Sequence, residues 1–273
     1  MDNRDHDVQE RFLKNWERYV HKRGKKDDNG NVVTLDVSCL GLTEIPFEIS
    51  NLIFMTKLIA RWNKIRSLGS GIGNLTSLTT LLIDNNNLTN LPSEIDSLKS
   101  LTTLSVRKNR LQSLGSEIGQ LTSLTELDLS GNLLESLDPV ICQLSSLKVL
   151  DLSSNLLEGV DPVIGNYKRL IKLYLCDNML RNIPVEISML TSLVELDLSL
   201  NNVRELPPIT PCCKIIGISR RIISPSHQLW KKRVALAYAI SWIRQRVKGR
   251  REGLSKLPPH LTRDIITLLF YGW

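Results

Sequence analysis

The apolar positions of this chain follow neither the strict alternation of a strand nor the 3.6-residue step of a helix. In the stretch 78–98, LTTLLIDNNNLTNLPSEIDSL, they are Leu78, Leu81, Ile83, Leu88, Leu91, Ile95 and Leu98. Leu81 and Ile83 keep the period-two rhythm of a short strand. Ile95 and Leu98 lie three apart, as on one side of a helical or 3₁₀ turn. Asn86, Leu88 and the breaker Pro92 stand between them, so the unit reads as strand, turn and looser helical return. A unit this short buries too little apolar surface to offset the ordering of its own backbone. It must stack on copies of itself.

The copies are present. Asn63, Asn86, Asn109, Asn132, Asn155, Asn178 and Asn201 share one 23-residue register. One step earlier the register falls on Leu40, after Leu35 and Val37, which makes a degenerate first unit and about eight in all. The pattern predicts strands over 33–37, 58–60, 81–83, 104–106, 127–129, 150–152, 173–175 and 196–198. They should pair in parallel, about 4.8 Å apart. The repeated Asn is expected to bond backbone groups of adjacent turns, a ladder that Leu40 cannot join.

The pattern LxxLPxxIxxLxxLxxLxLxxNxL resembles the 23-residue leucine-rich repeat of intracellular Ras-group and scribble-like scaffold proteins, over residues 32–209. Ile45-Pro46, Leu91-Pro92, Ile183-Pro184 and Leu206-Pro207 carry its Leu-Pro signature, while Gly69, Gly115, Asp138 and Asp161 stand in the proline slot elsewhere. The resemblance implies an α/β fold: a leucine-rich-repeat solenoid, curved as a horseshoe, with parallel strands on the concave face and helical caps at both ends. It implies a protein partner on that face, such as a small GTPase or another signalling protein.

Residues 4–21 read as an amphipathic helix with Val8, Phe12, Trp16 and Tyr19 or Val20 on one side. Solenoids need their open ends covered, so a cap is the favoured role and a partner-binding helix the alternative. Residues 22–31, KRGKKDDNGN, read as a charged turn or linker closing an N-terminal segment 1–31.

Side chains between and beside the paired leucines should face the concavity. The early units offer Lys57, Ile59, Arg61, Trp62, Leu82, Asp84, Arg107 and Lys108, a largely basic and apolar group. The later ones offer Glu126, Asp128, Asp151, Tyr174, Glu195 and Asp197, acidic around one aromatic. Trp, Tyr and Arg most often anchor interfaces, so Trp62, Arg61, Leu82, Arg107 and Tyr174 are the leading partner-binding residues. Two bland readings compete: the aspartates of the LDLS motifs recur in this repeat type, and Trp62 could pack on the N-terminal helix.

Charge divides the chain further. Of the net +7, residues 1–29 hold 8 basic and 7 acidic side chains, residues 30–209 hold 14 and 19, and residues 210–273 hold 13 and 2. The third segment, 210–273, is therefore of a different kind. It reads as a helix over 228–247 with Leu236, Ile240 and Ile243 on one stripe, a basic turn 248–251, and a second apolar helix. Ile243-Arg244 and Leu257-Pro258-Pro259-His260-Leu261 resemble a SOCS box, which implies elongin B/C and a cullin as partners. Ala235 and Ala239 depart from that motif. The alternatives are a plain helical cap, an F-box-like last helix, and a membrane-surface anchor or nuclear signal made by the basic run. Aromatics are not interleaved with the basic residues as stacking platforms, which argues against specific nucleic-acid recognition.

The remaining chemistry is sparse. His6, His21, His227 and His260 are scattered, with no cysteine or carboxylate at ligand spacing, so no metal is implied. Gly69-Ser-Gly71-Ile-Gly73 lacks the Lys-Ser/Thr of a phosphate loop. No nucleophile sits in a recognisable elbow, and no cofactor or enzymatic activity is implied. The first 31 residues lack a signal-type apolar run, no stretch approaches a membrane span, and the five cysteines form no flanking cluster. Those readings place the protein in the cytoplasm, with the nucleus as the alternative.

Overall fold

In a computed structural model of the protein, residues 3–207, 209 and 213–217 are described. Helices α1 (Asn3–Lys14) and α2 (Trp16–Arg23) precede strands β1 (Gly24–Lys26) and β2 (Val32–Asp36). Then follow β3 (Lys57–Ile59), β4 (Thr80–Leu82), β5 (Thr103–Ser105), β6 (Glu126–Asp128), β7 (Val149–Asp151), β8 (Lys172–Tyr174), β9 (Glu195–Asp197) and β10 (Lys214–Ile216). The ten strands form one sheet in chain order, and a five-residue 3₁₀ turn lies between each pair from β2 to β9. This is the leucine-rich-repeat solenoid that the resemblance implies.

Each strand from β3 to β9 is three residues wide around one buried leucine, and the five-residue β2 carries its own in Leu35. Leu35, Leu58, Leu81, Leu104, Leu127, Leu150, Leu173 and Leu196 are essentially inaccessible and lie opposite one another in register. The isoleucines of the 3₁₀ turns, from Ile49 to Ile187, close the core from the far side. Pairing begins one residue earlier than expected from the apolar positions. The residues flanking the central leucine on both sides join the ladder, and the chain then leaves for the Asn turn.

The asparagine ladder forms as the register requires. Asn132 Oδ1 accepts from Leu111 N at 3.0 Å, while its Nδ2 donates to Val106 O at 3.1 Å and Leu129 O at 2.9 Å. Asn63 serves the end unit, where its Oδ1 accepts from both Leu40 N and Leu42 N. A second ladder escaped the sequence reading. The hydroxyls of Thr56, Thr79, Thr102 and Thr125 each donate to the carbonyl 23 residues earlier, at 3.0 Å. Their common spacing was the available signal.

The N-terminal segment differs from expectation in three ways. The helix over 4–21 is two helices, broken at Asn15, whose Nδ2 donates to Arg11 O at 2.8 Å. Phe12 and Trp16 are buried as a cap requires, but Val8 is exposed and Gln9 is buried in its stead. Gln9 takes the backbone N–H of Thr43 and donates to Glu44 O, satisfying polar groups at the open end of the first unit. Finally, of the turn or linker expected over 22–31 it is a turn that forms, with strand pairing beside it that was not foreseen: β1 pairs antiparallel with β2. Asp27 Oδ1 accepts from the backbone of Asn29 and Asn31, and Gly30 takes φ +82°. Asn29-Gly30 is the hairpin signal that was overlooked.

At the other end the sheet continues past the last 23-residue unit. β10 pairs in parallel with β9, although the rhythm stops at Pro207 and Pro208. The helices expected over 228–247 and beyond, whether cap or adaptor, and the candidate adaptor contacts Leu236, Ile240, Ile243, Leu257, Pro258 and Leu261 lie outside the described residues.

Candidate functional site

Three rows of side chains line the concave face, each crossing the strands at one register position. The first runs Thr34, Lys57, Thr80, Thr103, Glu126, Val149, Lys172, Glu195. The second runs Asp36, Ile59, Leu82, Ser105, Asp128, Asp151, Tyr174, Asp197. The third lies just past the strands, as Ser38, Arg61, Asp84, Arg107, Ser130, Ser153, Cys176 and Ser199.

A fourth position was singled out only at Trp62 and Lys108, yet it recurs in every unit. Cys39, Trp62, Asn85, Lys108, Gly131, Ser154, Asp177 and Leu200 all have φ between 52° and 68°. This left-handed conformation suits Gly, Asn or Asp, and costs other L-residues roughly 1–2 kcal/mol. The sharp turn before each Asn imposes it. Trp62, at φ +56°, is 62% exposed, so it does not pack away against the N-terminal helices. Leu200 occupies the same position at the far end and is 77% exposed.

The early half of the face is less basic than its composition implies. Arg61 Nε lies 2.6 Å from Asp84 Oδ2, and Asp84 is 6% exposed. Asp84 also accepts from the Ser105 hydroxyl and from Arg107 N. Arg61 and Asp84 thus form a closed pair within the sheet surface, and Asp84 is withdrawn from any partner. Lys57, Ile59 and Leu82 remain half-buried beside it.

The later aspartates have a local task as well. Oδ1 of Asp128, Asp151 and Asp197 accepts the backbone N–H of Ser130, Ser153 and Ser199, each at 2.9 Å. Asp36 does the same for Ser38. Short polar side chains favour this turn. It accounts for the recurrence of Asp in the motif, and in Asp151 and Asp197 it engages Oδ1.

A recess of about 360 Å³ opens over β5–β9. Arg107 and Lys108 stand at one side, Tyr174 and Asp197 at the other, with Asp151 between. Gly131, Ser153 and Ser154 also line it, and Gly131 and Ser154 were not foreseen although they share the Trp62 register. Arg107 and Lys108 are exposed, and neither forms an ion pair among the described residues. Tyr174 is held by its hydroxyl, which donates to Glu195 Oε2 at 3.4 Å; Lys172 Nζ lies 3.7 Å from the same oxygen. The hydroxyl of Tyr174, and secondarily Glu195, raise the pKa of Lys172 above its usual range.

Burial raises the pKa of Asp151. Ser153 opposes that rise through its side-chain and backbone hydrogen bonds, the nearby Asp128 adds to it, and Arg107 opposes it. The carboxyl is thereby made costly to ionise without a cation at hand. Structure therefore brings Arg107, Lys108, Asp151, Tyr174 and Asp197 into one cleft, with Asp128 beside it. Trp62, Leu82 and Ile59 lie apart, toward β3 and β4, and Glu126 is exposed in the first row.

The sequence profile of a family described as a leucine-rich repeat region matches residues 33–130, and that of a leucine-rich repeat matches residues 122–164. No curated protein matches the chain. A leucine-rich-repeat protein of Leptospira interrogans is similar at 35% identity and TM-score 0.68, over 74% of this chain and 53% of that one. The plant peptide hormone receptor RGFR1, solved in complex with RGF2, is 25% identical with TM-score 0.58, over 72% of this chain and 40% of that one. An internalin of Listeria monocytogenes shares the fold at 23% identity and TM-score 0.61, over 72% and 59%. This chain spans between two-fifths and three-fifths of the length of these structures. Among the described residues no helix is long and apolar enough to cross a membrane. Repeat register, asparagine ladder and both profiles agree, and the chain folds as a leucine-rich-repeat solenoid.

Proposed function

We propose that this protein is a non-enzymatic interaction scaffold of intracellular signalling that receives a protein partner on its concave face. The cleft over β5–β9 carries the reading. It gathers charged and aromatic side chains from consecutive strands, and neither Arg107, Lys108 nor Tyr174 is buried in the core. Side chains of this kind, presented on a rigid parallel sheet, are suited to anchor an interface. The fold is generally an interaction module, and one structural relative is a receptor in complex with RGF2.

The test compares two substitution sets in affinity purification of the full chain. Asp151→Ala with Tyr174→Ala should reduce recovery of bound partners at least tenfold, the scale of a central contact. Glu94→Ala with Lys99→Ala, placed on the opposite side of the units, should leave it unchanged. Equal recovery by both sets refutes the concave reading.

A further inference from the structure

We propose that the cleft takes an extended peptide segment crossing the strands, with an acidic side chain at Arg107 and Lys108 and a basic one, four residues away, over Tyr174. This rests on the reading that the concave face binds a protein partner, and it specifies that partner's chemistry.

The basic position follows from the register. Asp151 lies beside Tyr174 on one side and Asp197 on the other. Both carboxylates spend Oδ1 on their own turns. The tyrosine ring is fixed through its hydroxyl on Glu195. A guanidinium or ammonium group over that ring meets a π face between two carboxylates, the arrangement that favours cations most. The acidic groups of the cleft are not clustered to hold a metal ion among the described residues, so a side-chain cation fits better than a divalent one. A nucleic-acid backbone would set phosphates against Asp128, Asp151 and Asp197, which like-charge repulsion disfavours.

The acidic position follows from the two cations left without ion-pair partners. Arg107 belongs to the β5 unit and Tyr174 to β8, three strand spacings apart across the sheet, or about 14 Å at about 4.8 Å each. Arg107 also stands two positions further along its unit, in the register of Cys176, an offset of about 7 Å that lies within the reach of an arginine side chain. An extended chain advances about 3.4 Å per residue and returns a side chain to the same face every second residue. Four residues therefore cover about 13–14 Å and present both side chains downward. Between them the backbone crosses Gly131, where an added Cβ would meet Lys108 Cγ at 3.0 Å. That missing side chain leaves the path open.

The experiment selects displayed random twelve-residue peptides on the immobilised full chain. Enriched sequences should pair Asp or Glu with Arg or Lys four positions apart. Moving the base of the best peptide one position should weaken binding about tenfold in fluorescence anisotropy. Selection on Asp151→Asn/Asp197→Asn should lose the base and keep the acid, and selection on Arg107→Gln/Lys108→Gln the reverse, with circular dichroism confirming that both variants fold. Peptides that depend on Tyr174 yet show no such spacing overturn this proposal and leave the concave reading standing. Peptides indifferent to Tyr174→Ala, or no enrichment at all, overturn both.

Discussion

Replacing Tyr167 by phenylalanine should make the protein more stable. Tyr167 stands in the register of Leu52, Leu75, Leu98, Leu121, Leu144 and Leu190, at the end of a 3₁₀ turn, and is 3% exposed. Its ring fills leucine's place, but its hydroxyl finds no hydrogen-bond partner among the described residues. Burial raises the phenol's pKa far above its usual range, and the nearby Cys142 adds to this. A buried hydroxyl without a partner costs about 1–3 kcal/mol. Its removal leaves a void smaller than a methyl group, worth less than about 1 kcal/mol. The net gain is therefore about 1 kcal/mol, equivalent to about 2–4 °C in a domain of this size. Urea unfolding of both chains, followed by circular dichroism, reads it as a higher midpoint at unchanged slope. A Phe variant destabilised by about 1 kcal/mol would mean that the hydroxyl is bonded after all, and the reasoning would fail.

Three further outcomes are expected. Asn132→Ala should cost about 1–3 kcal/mol in the same assay, because only Leu111 N is orphaned; Val106 O and Leu129 O keep the amides of Asn109 and Asn155. Trp62→Asn should raise the thermal midpoint by relieving the left-handed backbone at that site, by about 1 kcal/mol, as the Asn85 of the next unit already does. Burial holds the folded pKa of Asp151 above the usual carboxylate range, so its neutral form is favoured in the folded chain relative to the unfolded one. Stability is then fullest below the unfolded pKa and falls as pH rises through the folded pKa. Asp151→Asn should therefore gain on the native chain in melting temperature between about pH 3.5 and about pH 7. A difference that stays constant with pH refutes the assignment.

The fold was legible because stacking is a periodic problem. One Asn and a few leucines, repeated at 23, determine strand order, pairing sense and core together. The ends were less legible, since a cap is met once and leaves no period. Gln9 looks like a polar interruption until Thr43 and Glu44 show what it bonds. The concave face was readable as a set of residues but not as a surface. Arg61 counted as a free cation until Asp84, 23 residues on, closed over it. Asp151 and Asp197 looked like mere repetition, and are indeed turn caps, yet each still faces Tyr174. A pairing met once, like that of Arg61 with Asp84, depends on rotamers, which no periodicity encodes.

The handing-on of carbonyls along the asparagine ladder makes the length of this molecule adjustable. Leu129 O is shared by Asn132 and Asn155, and Leu152 O by Asn155 and Asn178, in the same geometry. An in-frame duplication of 23 residues inserted between them would inherit a donor and an acceptor for every group it adds. Nothing in the interior counts the units. Only the ends do, where Gln9 and the β1 hairpin meet a first unit that has no asparagine of its own. Chains of this design can lengthen or shorten by whole turns and remain folded, and the spacing between Arg107 and Tyr174 is then a measuring stick that one such event would reset.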